Sequence, residues 1–452
     1  MRRPESAAHS AKAISASKSP IRSSPTIPGG GSSVGDCSRG IAVVACIIPY
    51  QLSPLQIPIF SSAPCSETEN PLPKLNPPKM VLTSNPKFNN PEHVGSFLRP
   101  ESVHQARDQF LHDKISAEEL RKVEDEAIKA LVAKEEEVGL ASVSDGEFRR
   151  EYFHLDFLKH LGGIEIKENK LVGEKKEAVP PQLAVVGKVQ WIRPIQVDDY
   201  KFVQDNLKNP RSSVKVAIPS PTMAHFRLGR AGIDNENYPD LSEFYADLAK
   251  AYQQEIAALA EAGCTHIQLD DTNLAYLCSQ EMRDAATERG EDVNELPRQY
   301  VKLINEALRL KPAEMTASVH LCRGNFRSRH FASGGYEPVA EILFRDLEVD
   351  NFLLEWDDER SGGLEPLRFL PKDGKKRVVL GLVSTKTGKL EDKAKIVERI
   401  REAAKYAPLE QLGMGPQCGF ASTHHGNELT EEEQWKKVQL CNEIVEEVWG
   451  KQ

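Results

Sequence analysis

Four residues in the C-terminal half of this 452-residue chain carry side chains that bind borderline metal ions. They are His320 and Cys322 in TASVHLCRGNF, Glu355 in LLEWDDER and Cys418 in GPQCGF. One imidazole, two thiols and one carboxylate form a donor set suited to zinc. Taken singly, each has an ordinary explanation. A cysteine after an apolar run is commonly a small buried hydrophobe, Glu355 has an arginine nearby to pair with, and Cys418 sits beside two glycines. Their shared position carries more weight, because each lies at the end of a run that reads as a strand.

The elements that must position them alternate along the chain. Apolar runs read as strands at Glu92 to Phe97, Ala141 to Phe148, Val214 to Pro221 and THIQLDD, then at MTASVHL, NFLLEWD, RVVLGLVST and LEQLGMGPQCG. Between them lie stretches of helical periodicity, including Ser102 to about Glu137, LSEFYADLAKAYQQEIAALAEAGC, EDKAKIVERIREAAKYA and a closing helix from about Glu431 to Trp449. With LAVVGKV set aside as an insertion hairpin, eight strands alternate with helices. This predicts an α/β protein, a (β/α)8 TIM barrel with insertions, over residues 81–452. A doubly wound open sheet fits less well, since no glycine fingerprint follows the first strand. On a barrel, chemistry belongs at the carboxyl ends of the strands. Those ends offer Gly95 and Ser96, Asp145 and Glu147, Asp270 and Asp271, His320 and Cys322, Glu355, Ser384 and Thr385, and Cys418.

Composition narrows the partners. A net charge of −9 disfavours nucleic acid and anionic membranes, leaving small molecules. Eight scattered cysteines without framework spacing predict reduced thiols and a cytoplasmic protein. Residues 1–80 are rich in Ser, Pro and Gly and read as a disordered tail. Met80 reads as the natural start, with the preceding residues a gene-model extension; mitochondrial targeting by that segment is the other explanation. The longest apolar run, Ile41 to Ile48, is too short to span a bilayer.

From His93 to Asn427 the chain resembles the catalytic C-terminal barrel of the cobalamin-independent methionine synthase family, in a single-barrel form. The resemblance rests on VGSF, SDGEFRREYF, IQLDD, HLC, the isolated Glu355 and GPQCGF, in that order. It implies a zinc-dependent methyltransferase in methionine biosynthesis, with Zn2+ held by His320, Cys322, Glu355 and Cys418. Such an enzyme passes a methyl group from a folate-type donor to the thiol of homocysteine. Glu355 is the ligand expected to leave as the thiol arrives. Gly95 and Ser96 would take the acceptor's carboxylate, and Glu147 and Asp270 its ammonium, with Glu355 and Asp270 the catalytic carboxylates.

Three departures bear on the donor. The chain has no second, N-terminal barrel; Asp270-Asp271-Thr272 replaces the family's Asp-Glu-Pro; and LVSTKTG stands where the long enzymes carry a histidine thought to assist proton delivery. Lys386 occupies that stretch. RSRHFASGGYEP also lengthens the segment between Cys322 and Glu355. A simpler methylated donor or a methyl-corrinoid therefore stands beside methyl folate. Two other functions compete: a uroporphyrinogen-decarboxylase-like enzyme, which needs no metal, and a catalytically inactive zinc-binding barrel.

Overall fold

The computed structural model describes residues 90–167 and 181–450. The chain divides into two units, Met1–Pro78 and Lys79–Gln452, and every described residue belongs to the second. The predicted tail lies outside the described residues.

Seven strands form one curled parallel sheet. In chain order they are β1 (Ser142–Val143), β4 (Ser213–Pro219), β5 (His266–Asp271), β6 (Thr316–Leu321), β7 (Asn351–Glu355), β8 (Arg377–Val383) and β9 (Leu412–Pro416), and they pair in that same order. β2 (Leu161–Lys167) and β3 (Gln182–Trp191) form a separate antiparallel pair, the insertion expected around LAVVGKV. All residues of β5, β8 and β9 are buried. Strands covered on both faces read as largely apolar runs, as β8 and β9 do, whereas β5 carries the buried polar residues His266, Gln268, Asp270 and Asp271.

Two expectations need correcting. The helix predicted from Ser102 to Glu137 is two helices, Glu101–Leu111 and Ala117–Glu137. Asp113 takes a left-handed φ of 54° between them, and Ser116 then caps the second helix in a reciprocal box with Glu119.

The stretch Glu92 to Phe97 is not a ladder strand. Its Glu92 N–H donates to the Met414 carbonyl in β9 (3.1 Å), and its Phe97 N–H to the Gly146 carbonyl just past β1 (3.2 Å). It therefore lies between the two edge strands and joins them through single bonds. Gly95, at φ 130°, breaks the extended run, a conformation that side chains other than hydrogen rarely allow. Val94 packs with Leu353 and Val379 in a small cluster separate from the main core. Beneath it, the Lys215 ammonium is fully buried against Glu92 Oε1 (2.7 Å) and the His93 carbonyl. The segment is thus anchored by packing and charge instead of by register. No helix among the described residues is long and apolar enough to cross a membrane.

Candidate metal centre and acceptor pocket

His320 is the penultimate residue of β6, and Cys322 follows the strand's last residue. Glu355 closes β7, and Cys418 lies two residues beyond β9. Adjacent parallel strands bring their ends to one side of the sheet, so all four side chains meet there, buried. One ligand atom from each lies within 4.8 Å of all the others. The two sulfurs are 3.4 Å apart as free thiols.

The surroundings fix how each group presents itself. His320 Nδ1 donates to the Leu353 carbonyl (3.1 Å), which leaves Nε2 as the nitrogen available to the other three groups. Nε2 is buried and has no hydrogen-bond partner. A buried imidazole nitrogen beside two thiols and a carboxylate is a donor set that a bound cation would satisfy. Glu355 is held differently: Oε1 accepts from the Arg323 N–H (2.7 Å), and Oε2 from the Arg360 guanidinium (2.9 Å) and Gln417 Nε2 (3.4 Å). Its own N–H donates to the Tyr336 hydroxyl (2.9 Å).

Charge agrees with geometry. Burial works to raise the Glu355 carboxyl, but Lys386, His320, Arg360 and the Arg323 N–H outweigh it and hold it below the usual range. Burial also disfavours the His320 imidazolium, yet Cys418, Asp270 and Glu355 raise it to about 9. Hydrogen bonding between the sulfurs splits the thiols, with Cys418 driven well down and Cys322 well up. The donor set therefore fits a divalent ion such as zinc.

The residues expected to bind an amino-acid acceptor gather on the neighbouring strand ends. A Cβ built on Gly95 would lie 3.8 Å from Glu147 Oε1. The Ser96 carbonyl accepts from the Phe420 N–H (2.9 Å) and its Oγ from the Ala421 N–H (3.3 Å), tying it to the loop that carries Cys418. Gly419 is needed there, since a Cβ would fall 1.8 Å from Ser96 Oγ. Glu147 has a left-handed φ of 59°, an uncommon state for a side chain of its size, and its buried Oε2 has no partner. Asp270 pairs in register with His320, and its Oδ1 accepts from Gln268 Nε2 (2.7 Å). Burial raises both carboxyls, Asp270 adding to the effect on Glu147 while Arg150 and Arg99 oppose it. Two buried carboxylates with an unsatisfied oxygen present a place for a ligand's ammonium.

The adjacent Asp271 belongs to the framework. It accepts from Thr222 Oγ1 (2.5 Å) and the Leu274 N–H (2.8 Å), capping the turn after β5, so the capping role falls to Asp271. The strand-end pattern gave no hint of Arg99, whose guanidinium donates to the carbonyls of Ala421, Thr423, Glu147 and Arg150 and so binds the Ser96, Glu147 and Cys418 loops together. Nor did it point to Tyr336, Arg360 and Gln417 around Glu355. The available signals were proximity, Arg360 lying five residues from Glu355 and Gln417 next to Cys418.

With this geometry in hand, similarity to known proteins is informative. The family description "Cobalamin-independent synthase, Catalytic domain" matches residues 91–434. The uncharacterized protein YxjH of Bacillus subtilis is 40% identical over 360 residues, 79% of this chain and 94% of that protein. A methionine synthase of Saccharolobus solfataricus is 27% identical over 72% of this chain and 86% of its own length. A crystal structure titled as the putative vitamin-B12 independent methionine synthase of Listeria monocytogenes superposes with a TM-score of 0.65 at 39% identity, covering 80% of this chain and 99% of that one. The chain belongs to the cobalamin-independent methionine synthase family, through its catalytic domain.

Proposed function

We propose that the protein is a zinc-dependent thiol methyltransferase whose acceptor is homocysteine or a closely related amino-acid thiol. The observation that carries this is the convergence of His320, Cys322, Glu355 and Cys418, all buried, with one ligand atom from each within 4.8 Å of the others. Family membership supports the same activity. His320, Cys322, Glu355 and Cys418 would hold the ion. When bound, zinc supplies the positive charge that keeps a substrate thiol deprotonated at neutral pH while leaving it nucleophilic.

The chain's own residues do the rest. Glu147 and Asp270 bind the acceptor's ammonium, and Gly95 and Ser96 its carboxylate, which sets the thiol at a fixed distance from the cysteines. Glu355 is the ligand able to step aside, because Arg323, Arg360 and Gln417 already offer its oxygens alternative partners. A metal-free decarboxylase leaves the convergence of four buried ligand atoms unexplained, and an inactive zinc barrel leaves the unsatisfied Glu147 Oε2 unexplained.

Metal analysis of the purified protein should find about one zinc ion per chain, lost in Cys322→Ser and in Cys418→Ser. X-ray absorption should then show a third sulfur at zinc on adding homocysteine. Folded protein that binds no zinc refutes the assignment, and zinc that accepts no third sulfur from any thiol favours the inactive barrel.

A further inference from the structure

Lys386 is 7% exposed, and its Nζ has no hydrogen-bond partner among the described residues. It stands in the loop after β8, and that loop is fastened on several sides. Ser328 Oγ donates to the Lys386 carbonyl (2.7 Å) and Asn427 Nδ2 to the Thr385 carbonyl (2.9 Å). Thr385 donates through both N–H and Oγ1 to Gln417 Oε1 (3.0 and 2.6 Å), while Gln417 Nε2 reaches Glu355. The loop is therefore clamped to the candidate metal centre through one glutamine. Glu355, Asp357 and Cys322 all feel the Lys386 charge. Arg360, by contrast, is committed to Glu355, Asp357 and Asp358. The Lys386 charge is offset by Glu355 and Asp357, but its N–H donors are left without an acceptor, which is unfavourable unless something arrives to receive a hydrogen bond.

We propose that Lys386 is the donor-side catalytic residue: its ammonium donates a hydrogen bond to the atom that the methyl group leaves, selecting neutral methyl donors over sulfonium donors. This rests on the thiol-alkylation function proposed above. In the transfer, a sulfur–carbon bond forms to the acceptor thiolate and the carbon–X bond of the donor breaks, its electron pair staying on X. A neutral donor thereby turns X into an anion, which an ammonium stabilises more in the transition state than in the ground state. For a weakly basic X the proton remains on Nζ; a basic amine nitrogen takes it. A sulfonium starts cationic and leaves neutral, so the same ammonium repels it on approach and gains nothing as it departs.

The test uses the full zinc-loaded chain with homocysteine and donors graded by leaving-group basicity: methyl iodide, methyl arenesulfonates, 5-methyltetrahydrofolate and, as the sulfonium, S-methylmethionine. Lys386→Met should lose rate progressively along the neutral series, to about 100-fold at the basic end, while transfer from the sulfonium rises. Lys386→Arg should retain the wild-type order. The third sulfur seen by X-ray absorption should be unchanged in both variants, and the unfolding midpoint of Lys386→Met should not fall. Equal losses with every donor, or no loss with any, overturn the role of Lys386. If the wild-type protein transfers methyl from none of these donors and shows no third sulfur, the thiol-alkylation function itself fails, and the inference with it.

Discussion

Replacing Lys215 with methionine tests what holds the non-ladder segment in the barrel. The Lys215 side chain is fully buried, and its ammonium lies 2.7 Å from Glu92 Oε1. The substitution keeps the apolar stem and leaves the Glu92 carboxylate buried without its cation. Removing one partner of a buried pair costs about 3–5 kcal/mol, because an uncompensated charge remains. The electrostatics agree in sign: burial raises the Glu92 carboxyl, and Lys215, joined by His266 and His93 only once they are protonated at low pH, overcomes it and brings it down to about 2. Lys215→Met should therefore lower the free energy of unfolding at pH 7 by about 3–4 kcal/mol, read from urea unfolding followed by circular dichroism. Adding Glu92→Gln should restore most of that loss, since no charge is then stranded. A local consequence should follow: Gly95 and Ser96 lie on the same segment, so homocysteine affinity should fall in the single variant and recover in the double. A loss below about 1 kcal/mol, or a double variant as unstable as the single, would refute the idea that this pair anchors the segment.

Stability should also depend on pH in a defined window. Burial lowers His93 to about 3 and His266 to about 4, so both are neutral in the folded protein. Their contribution is complete above the unfolded value near 6.5 and is lost as pH falls toward those lower values, reaching about 2 kcal/mol per histidine at pH 5. Urea midpoints should fall as pH drops from 6.5 to 4.5. Tyr336→Phe removes the hydroxyl that accepts from the Glu355 N–H. Zinc affinity, measured by chelator competition, should drop about tenfold, with all four ligands still present. Glu147→Gln should weaken homocysteine binding about tenfold or more by calorimetry but leave 3-mercaptopropionate, which lacks an amine, unaffected. Equal weakening of both thiols would remove Glu147 from the ammonium site.

How far the fold was legible depended on burial. β8 and β9 lie between two covered faces, so their sequences are largely apolar and their positions could be read directly, whereas β5 is equally buried but mostly polar. The stretch from Glu92 to Phe97 reads as another buried segment, yet it docks through Val94, Lys215 and three single backbone bonds, to β9, to the turn after β1 and to the Cys418 loop. Apolar content locates a buried segment but does not say whether its amides find a ladder. The break between the first two helices was legible in principle, because Ser116 and Glu119 have the spacing of a capping box. Helical periodicity on both sides concealed it.

For the site, legibility followed how restrictive each role is. A soft-metal ligand must be one of few residue types, and barrel architecture adds a second restriction by placing it at a strand's carboxyl end. His320, Cys322, Glu355 and Cys418 satisfy both, so they stood out together. The groups that orient them are under neither restriction. The Glu355 carboxylate is held by a backbone N–H of Arg323, a guanidinium five residues on, and an amide from another strand's end. Any donor within reach serves that purpose, and reach is set by the packed loops. Lys386 falls between these cases: its position after β8 marked it, but its lack of a partner appears only once the loop is folded. That difference bears on where specificity resides. On the proposed function, the ligands would define which ion and which kind of acceptor atom can be handled, whereas the groups that folding brings up beside them, Lys386 in particular, would decide which donor can approach.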